Sequence, residues 1–254
     1  MPTSLVNCKI NLGLNIIRKR ADGYHDLQTV FYPTDAFTDH LSVEAIEEDF
    51  DFVCRSAEDI GSSENNLCVK AFRLLQRDYD IRGARLVLDK HIPTGAGLGG
   101  GSADAAFTLK LLTQHFDLQI DQATLKEYAE QLGSDVPFFV DNVPVYAQGR
   151  GEIMTPVEIN LASYNIVVVK PEVSVSTREA YANVRPHESS VNFAEVVRNV
   201  PVPEWRNYLF NDFEDSVFEL YPQLADIKQQ FYEDGAVYAA MSGSGSAIFG
   251  LFPK

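Results

Sequence analysis

The sequence predicts a soluble globular protein of mixed helices and strands, long enough for one large domain or two smaller ones. Three observations lead there. The 254 residues are 45% hydrophobic and 22% charged, the ordinary proportions of a folded chain. Residues 6–16 alternate apolar and polar with the period of a strand. Five glycines in seven positions, from Gly95 to Gly101, run into an alanine- and leucine-rich stretch with helical spacing.

Composition also excludes several functions. No apolar run approaches the ~20 residues of a membrane span. The first five residues lack the basic segment and apolar core of a signal peptide. Cys8, Cys54 and Cys68 are scattered without CxxC or Cys/His spacing, so neither a disulfide framework nor a zinc site is indicated. Together these features point to a cytoplasmic protein. A net charge of −15 argues against nucleic acid or an anionic membrane as partner. The same charge would repel a nucleotide, so any phosphate site must be made locally positive by Lys9, Lys90, a basic loop or helix termini.

In chain order, Val6, Cys8, Ile10, Leu12, Leu14 and Ile16 share one face of the first strand. Asn7, Lys9, Asn11 and Asn15 share the other. This reads as a half-buried strand, with the Lys9 ammonium and Asn11 amide side by side, about 7 Å apart at Cα. Asparagine is depleted in strands, so three on one face suggest a face that meets something polar. Residues 18–25 form a basic hairpin turn through Asp22-Gly23, leading to a strand over 27–32. Short strands at 41–44 and 50–54 flank an acidic turn. Asn65-Asn66 caps a helix to about Tyr79, and Ala84–Lys90 is a strand.

Asp121 caps a helix to Leu132, ended by Gly133. Asp135 then has the place of a cap before Pro137. The stretch 145–152 closes the first half, with Gly149 and Gly151 marking the passage to a second domain. A buried valine-rich strand at 164–170 and a short helix at 178–181 follow, then a polar stretch, 188–205, without clear period. Helices open at Asn211 and Pro222, the second stopped by Gly235. Strands at 237–241 and 248–252 flank a second Gly/Ser loop, 242–247.

The glycine stretch carries the function. A glycine loop entering a helix N-terminus offers unpaired N–H groups and the positive end of the helix dipole, an anion site most often filled by phosphate. Walker A would end in Gly-Lys-Ser/Thr, whereas this stretch ends in Gly101-Ser102-Ala103, so that reading fails. Gly95-x-Gly97-x-x-Gly100 satisfies the dinucleotide fingerprint, with Asp117 or Asp121 downstream. But His91-Ile92-Pro93 separate it from its strand, and no clear second strand ends in the acidic residue. A flexible linker would alternate glycine with serine rather than sit between Pro93 and an alanine-rich helix. The remaining pattern, Pro93-x-x-x-Gly97-Leu98-Gly99-x-x-Ser102-Ala103, resembles the ATP loop of the kinases named for galactose, homoserine, mevalonate and phosphomevalonate (GHMP kinases).

Further motifs follow the same order as in that family: Lys9-x-Asn11-Leu12, Asn66-Leu67, Gly133-x-Asp135-Val136-Pro137 and Gly243-Ser244-Gly245-Ser246-Ala247. A fifth, Arg20-Ala-Asp-Gly-Tyr24-His25-x-Leu27-Gln28, is not shared by all GHMP kinases. It resembles the branch whose substrate is a cytidine diphosphate-linked methylerythritol. The resemblance implies an α+β fold with two-domain GHMP kinase architecture. Residues 1–153 would be an N-terminal domain like ribosomal protein S5 domain 2. Residues 154–254 would be a ferredoxin-like C-terminal domain, trimmed relative to members that continue past the last strand.

The reaction implied is transfer of the ATP γ-phosphoryl to a tertiary 2-hydroxyl in non-mevalonate isoprenoid biosynthesis, with Mg2+ expected alongside ATP and no carboxylate pattern fixing a metal ligand. The resemblance makes Asp135 the catalytic carboxylate, although as a residue it also suits a helix cap. Lys9 would stabilise the developing charge, and Asn11 would orient the hydroxyl or Lys9. Asn66 would contact adenine, with capping as its other reading, and Lys90 would lie beside ATP. Pro93, Thr94, Gly95, Ala96, Gly97, Leu98, Gly99, Gly100, Gly101, Ser102 and Ala103 would form the phosphate loop. On the substrate side stand Thr177, Tyr24 and Tyr181, the tyrosines on either side of cytosine, with His25 at its edge. Relatives commonly have Phe in place of Tyr181. Two alternatives stay open: a kinase for another small alcohol, and a nucleotide-binding sensor without catalysis.

Overall fold

The structure, a computed structural model, describes residues 2–47, 49–57 and 63–254. Strand β1 (Thr3–Lys19) is where the alternation puts it, but it is not half-buried. Asn7, Lys9, Asn11 and Asn15 are as inaccessible as the aliphatic residues between them. Polar groups are buried at this density only when hydrogen-bonded, so the polar face is an internal surface. The Arg20 amide donates to the Tyr24 carbonyl at 2.8 Å and closes the hairpin to β2 (His25–Ala45). The segments 27–32 and 41–44 are two ends of this one strand. Pro33 does not stop it, because it lies between the residues paired to one neighbour, 27–31, and those paired to another, 40–45. Neither of those two ladders needs its missing N–H.

Next come β3 (Phe50–Ser56), α1 (Leu67–Asp78) and β4 (Ala84–Lys90); Glu48, in the acidic turn, lies outside the described residues. Helices α2 (Gly100–His115), α3 (Gln122–Leu132) and α4 (Val136–Asp141) follow, then strands β5 (Val145–Gly149), β6 (Ile153–Pro156) and β7 (Tyr164–Val169). The C-terminal part holds α5 (Thr177–Asn183), α6 (Phe193–Asn199), α7 (Phe213–Leu220), α8 (Pro222–Glu233), β8 (Tyr238–Met241) and β9 (Ile248–Pro253).

The described residues form two compact units. The first takes the chain up to Cys8, Phe37–Thr94 and Gly99–Asn142; the second takes Lys9–Ala36, Gly95–Leu98 and Val143–Lys254. In the first, β3 runs parallel to β4, from Phe50 opposite Ala84 to Ser56 opposite Lys90, and β4 runs antiparallel to residues 40–45 of β2. Helix α2 packs against α1, α3 and α4. It is therefore buried around most of its girth, through Ala103, Ala105, Ala106, Leu109, Leu111 and Leu112, rather than along one apolar stripe.

In the second unit, β5 pairs with residues 27–31 of β2, and β6 pairs with β5. Gly149 and Gly151 make the turn of this β5–β6 hairpin, with the Gly151 amide donating to the Gln148 carbonyl at 3.0 Å. Strand β7 is not buried: it is the edge of a three-stranded sheet ordered β7–β9–β8, and Val167 is 41% exposed. Its valines reflect strand propensity, not enclosure. The polar stretch 188–205 hides α6, capped by the Asn192 side chain at the Ala194 and Glu195 amides, and a 3₁₀ turn over Val202–Asn207. Phe193, Val196, Val197 and Trp205 are buried; elements this short show too few apolar positions to reveal a period. No described helix is long and apolar enough to cross a membrane.

Candidate active site

The polar face of β1 supplies the first part of the site, within the second unit. The Lys9 ammonium donates to Asn11 Oδ1 at 2.5 Å and to the Gly97 carbonyl at 2.8 Å, and lies 5.1 Å from the Phe31 ring centre. Asn11 Nδ2 donates to Thr29 Oγ1 at 2.9 Å, and that hydroxyl donates to the Gly13 carbonyl at 2.6 Å. The Asn11 amide is thereby fixed with its oxygen toward the lysine, so Asn11 orients Lys9. Ser242, wholly buried, accepts from the Asn11 main-chain N–H at 3.3 Å and donates to the Gly97 carbonyl at 2.9 Å.

The glycine segment turns its carbonyls inward. Ala96 accepts from the Ala247 amide at 3.2 Å and Leu98 from the Lys9 amide at 3.0 Å, while the Ala96 and Leu98 side chains are buried. No amide from Gly95 to Ser102 donates to a protein acceptor among the described residues. Gly100, Gly101 and Ser102 belong to the first turn of α2 rather than to a loop, and Gly99, at the cap position, offers no side chain to those amides. Two positions explain the glycines. A Cβ on Gly97 would stand 1.9 Å from the Ser242 carbonyl oxygen, so the second Gly/Ser loop packs directly on it. A Cβ on Gly101 would meet nothing within 4 Å, although glycine in a helix is less stable than alanine by roughly 1 kcal/mol. Packing among the described residues therefore does not require glycine at 101.

Within the first unit, Lys90 is beside the end of this segment, as expected, but its ammonium is turned inward. It donates to Asp39 Oδ2 at 2.5 Å and to Asp104 Oδ2 at 2.8 Å. Burial alone would lower its pKa, but the two carboxylates outweigh that and the net shift is upward. Asp39 Oδ1 accepts from the His91 and Ile92 amides at 2.5 and 2.7 Å, pinning the chain just before Pro93. Lys90 therefore supports the chain as it enters the glycine segment. Asn66 does cap α1: its Oδ1 accepts from the Cys68 amide at 2.9 Å. That bond leaves its amide donors for a base.

Asp135 precedes α4 but does not cap it. Its backbone is already helical, at φ −87° and ψ −11°, and its side chain makes no capping bond. The fold leaves this half-buried carboxylate unused, as a group reserved for chemistry would be.

On the substrate side, Tyr24 is 58% exposed with the Arg150 guanidinium 5.0 Å from its ring centre. His25 stacks on Tyr181, ring centres 4.9 Å apart and planes 24° from parallel. Burial, with Lys19 nearby, holds the His25 pKa below the usual value. Tyr181 also meets the Phe213 ring edge-on at 4.8 Å. While that stack holds, the face of Tyr181 that His25 covers is closed to a base. Thr177, the first residue of α5, has its hydroxyl 3.4 Å from that of Ser244. Sequence reasoning missed Thr29, Asp39, Asp104 and Ser242. Only Asp104 carried a signal, as a lone carboxylate in an alanine-rich helix.

The family of GHMP kinases N terminal domains matches residues 66–142, and that of GHMP kinases C terminal domains matches 202–254. The chain is 50% identical to the 4-diphosphocytidyl-2-C-methyl-D-erythritol kinase of Bacteroides fragilis over 249 residues, 97% of this chain and 90% of that one. This chain belongs to the GHMP kinase family. A protein of the same name from Bacteroides thetaiotaomicron is 49% identical, with 97% and 90% of the two chains covered. A crystal structure of 4-(cytidine 5'-diphospho)-2C-methyl-D-erythritol kinase matches with a TM-score of 0.84 at 32% identity, covering 98% of this chain and 90% of that chain. The α+β class and GHMP architecture read from the motifs hold. As a GHMP kinase, the protein takes its phosphoryl group from ATP and gives it to a small molecule.

Proposed function

We propose that this GHMP kinase phosphorylates the 2-hydroxyl of 4-diphosphocytidyl-2-C-methyl-D-erythritol, in the cytoplasm, as a step of non-mevalonate isoprenoid biosynthesis. The observation that carries the reading is likeness over nearly the whole chain to kinases of that name, joined to the Tyr24-His25 motif. A tertiary hydroxyl is a poor acid, so it needs a base as the phosphorus–oxygen bond forms. Asp135 is that base. Lys9, oriented by Asn11, stabilises the alkoxide and the transferring phosphoryl group. The open amides at the start of α2 hold the phosphates, and Mg2+ arrives with ATP as part of the substrate. Asn66 reads adenine with its free amide donors. Tyr24, His25, Thr177 and Tyr181 hold the cytidine end.

Residues 1–153 and 154–254 are our domain assignment. A net charge of −15 suits small-molecule partners and neither nucleic acid nor an anionic membrane. The deciding experiment is ADP release with the cytidylated substrate, its uridine form and free methylerythritol. Turnover is expected with the cytidylated form alone. Equal use of all three would make this a general small-alcohol kinase, and ATP binding without turnover would make it a sensor.

A further inference from the structure

The cluster beside the start of α2 holds one ammonium and two carboxylates. Asp39 on β2, Lys90 on β4 and Asp104 on α2 are all nearly inaccessible, with side-chain exposures of 0%, 6% and 4%. Asp39 is satisfied at both oxygens, by Lys90 and by the His91 and Ile92 amides. Asp104 is not. Its Oδ2 accepts from Lys90, while Oδ1 is buried with no hydrogen-bond partner among the described residues. A bare carboxylate oxygen away from water is expensive, and protonation relieves it.

The position of the cluster gives this a consequence. A Cβ on Gly100 would lie 2.9 Å from Lys90 Nζ, so the cluster sits against the first residue of α2, and Asp104 is one helical turn further in. A polyphosphate on the amides of that first turn adds negative charge near a site that already carries a net −1. In a weakly screened interior, that charge disfavours the ionised form of Asp104.

We propose that Asp104 is a proton-loading positioning residue: ATP binding drives one proton from solvent onto its carboxylate, which neutralises the cluster while Lys90 and Asp39 keep residues 91–92 in place. The inference rests on the ATP reading of this segment. The bond formed is O–H on Asp104, and the bond broken is that of the same proton to hydronium or a buffer acid in solvent, which keeps the electron pair. Burial pushes Asp104 up to about 7, with Asp39 adding to the shift and Lys90 opposing it, so the proton is exchanged near neutrality. The other groups that feel its charge are Cys54 on β3 and Cys68 on α1. Burial raises both thiols away from neutrality. His40 and His91, whose rings meet at 6.0 Å, are the imidazoles that flank the cluster in sequence.

The test is calorimetric titration of the full chain with a non-hydrolysable ATP analogue at pH 8, in buffers of different ionisation heat. Uptake of up to one proton per nucleotide is expected. The Kd should rise toward about tenfold per pH unit above neutrality, the limit for one linked proton. Asp104→Asn should bind with no uptake and a flat pH profile, and a His40→Asn, His91→Asn double variant should keep the uptake. That double variant carries the test if Asp104→Asn does not fold. Binding without uptake, or uptake lost with the histidines, overturns the proposal alone. No binding at all overturns the ATP reading and the proposal with it.

Discussion

Lys9 in the second unit and Lys90 in the first are both buried lysines, at 4% residue exposure and 6% side-chain exposure, and the acceptors described for each within its own unit differ in charge. Within its unit, Lys9 donates to an amide oxygen and a main-chain carbonyl. Lys90 donates to two carboxylates. Neutral acceptors orient an ammonium without themselves cancelling its field, and by our reading Lys9 directs that field at a transferring phosphoryl group. Carboxylates cancel that field at close range and turn the lysine into a structural tie. Residue type and nearness to the glycine segment look alike for the two. Only the partner decides the role.

Substituting each lysine by methionine tests this directly and should give the largest effects. Lys90→Met leaves two buried carboxylates without their cation, which should destabilise the fold by about 3–5 kcal/mol, the usual scale for breaking a buried pair. Turnover by the folded fraction should change less than the KM for ATP. Lys9→Met should do the reverse, lowering kcat at least ~10²-fold with a near-normal unfolding midpoint, and Asp135→Asn should match it. Chemical denaturation beside steady-state kinetics separates the two patterns. If Lys90→Met keeps full stability and loses kcat, the distinction between tie and catalyst is wrong.

The same contrast shows what the sequence can disclose. Period and capping chemistry are local, so β1, α3 from its Asp121 cap and α8 from Pro222 were legible with their ends nearly right. Asp135 was singled out only through its motif; its φ, ψ and missing capping bond show that it does not cap α4, and its catalytic role is our proposal. What stayed hidden was long-range. Asp39 lies between the stretches 27–32 and 41–44 that read as separate strands, and its partners are 51 to 53 residues away. Ser242 meets Asn11 across 231 residues, a separation that no window of sequence spans. Burial of the polar face of β1 was equally out of reach, since alternation looks the same whether the second face meets water or protein.

The aromatic residues extend the comparison to a smaller scale. Tyr24 stands in solvent against Arg150, whereas Tyr181 leans on His25, Phe213 and the core around Leu14 and Val217. Tyr24→Ala should therefore leave the unfolding midpoint unchanged and raise the KM for the cytidylated substrate, by the ~1–3 kcal/mol of a base–aromatic stack. Because the stack is present before and during reaction, kcat should hold. Tyr181→Ala should lower stability as well as raise KM. Equal stability losses in both variants would show that Tyr24 is part of the packing and not a platform for the base.

Gly97 and Gly101 give the smallest effect and the cleanest separation of fold from ligand. Gly97→Ala puts a methyl into the Ser242 carbonyl, 1.9 Å away, and should reduce stability and ATP binding together. Gly101→Ala meets nothing within 4 Å and replaces a poor helix former by the best, so the fold should gain up to about 1 kcal/mol. The same methyl enters the open space over the first amides of α2, where the phosphates are placed by our reading, so the KM for ATP should rise. Stability and nucleotide affinity then move in opposite directions, which a packing defect cannot produce. Thermal unfolding without nucleotide gives the first sign, and KM for ATP at saturating second substrate gives the second. If the unfolding midpoint rises while KM stays put, phosphate does not rest on the N-terminus of α2, and Gly101 must be explained by something other than ATP.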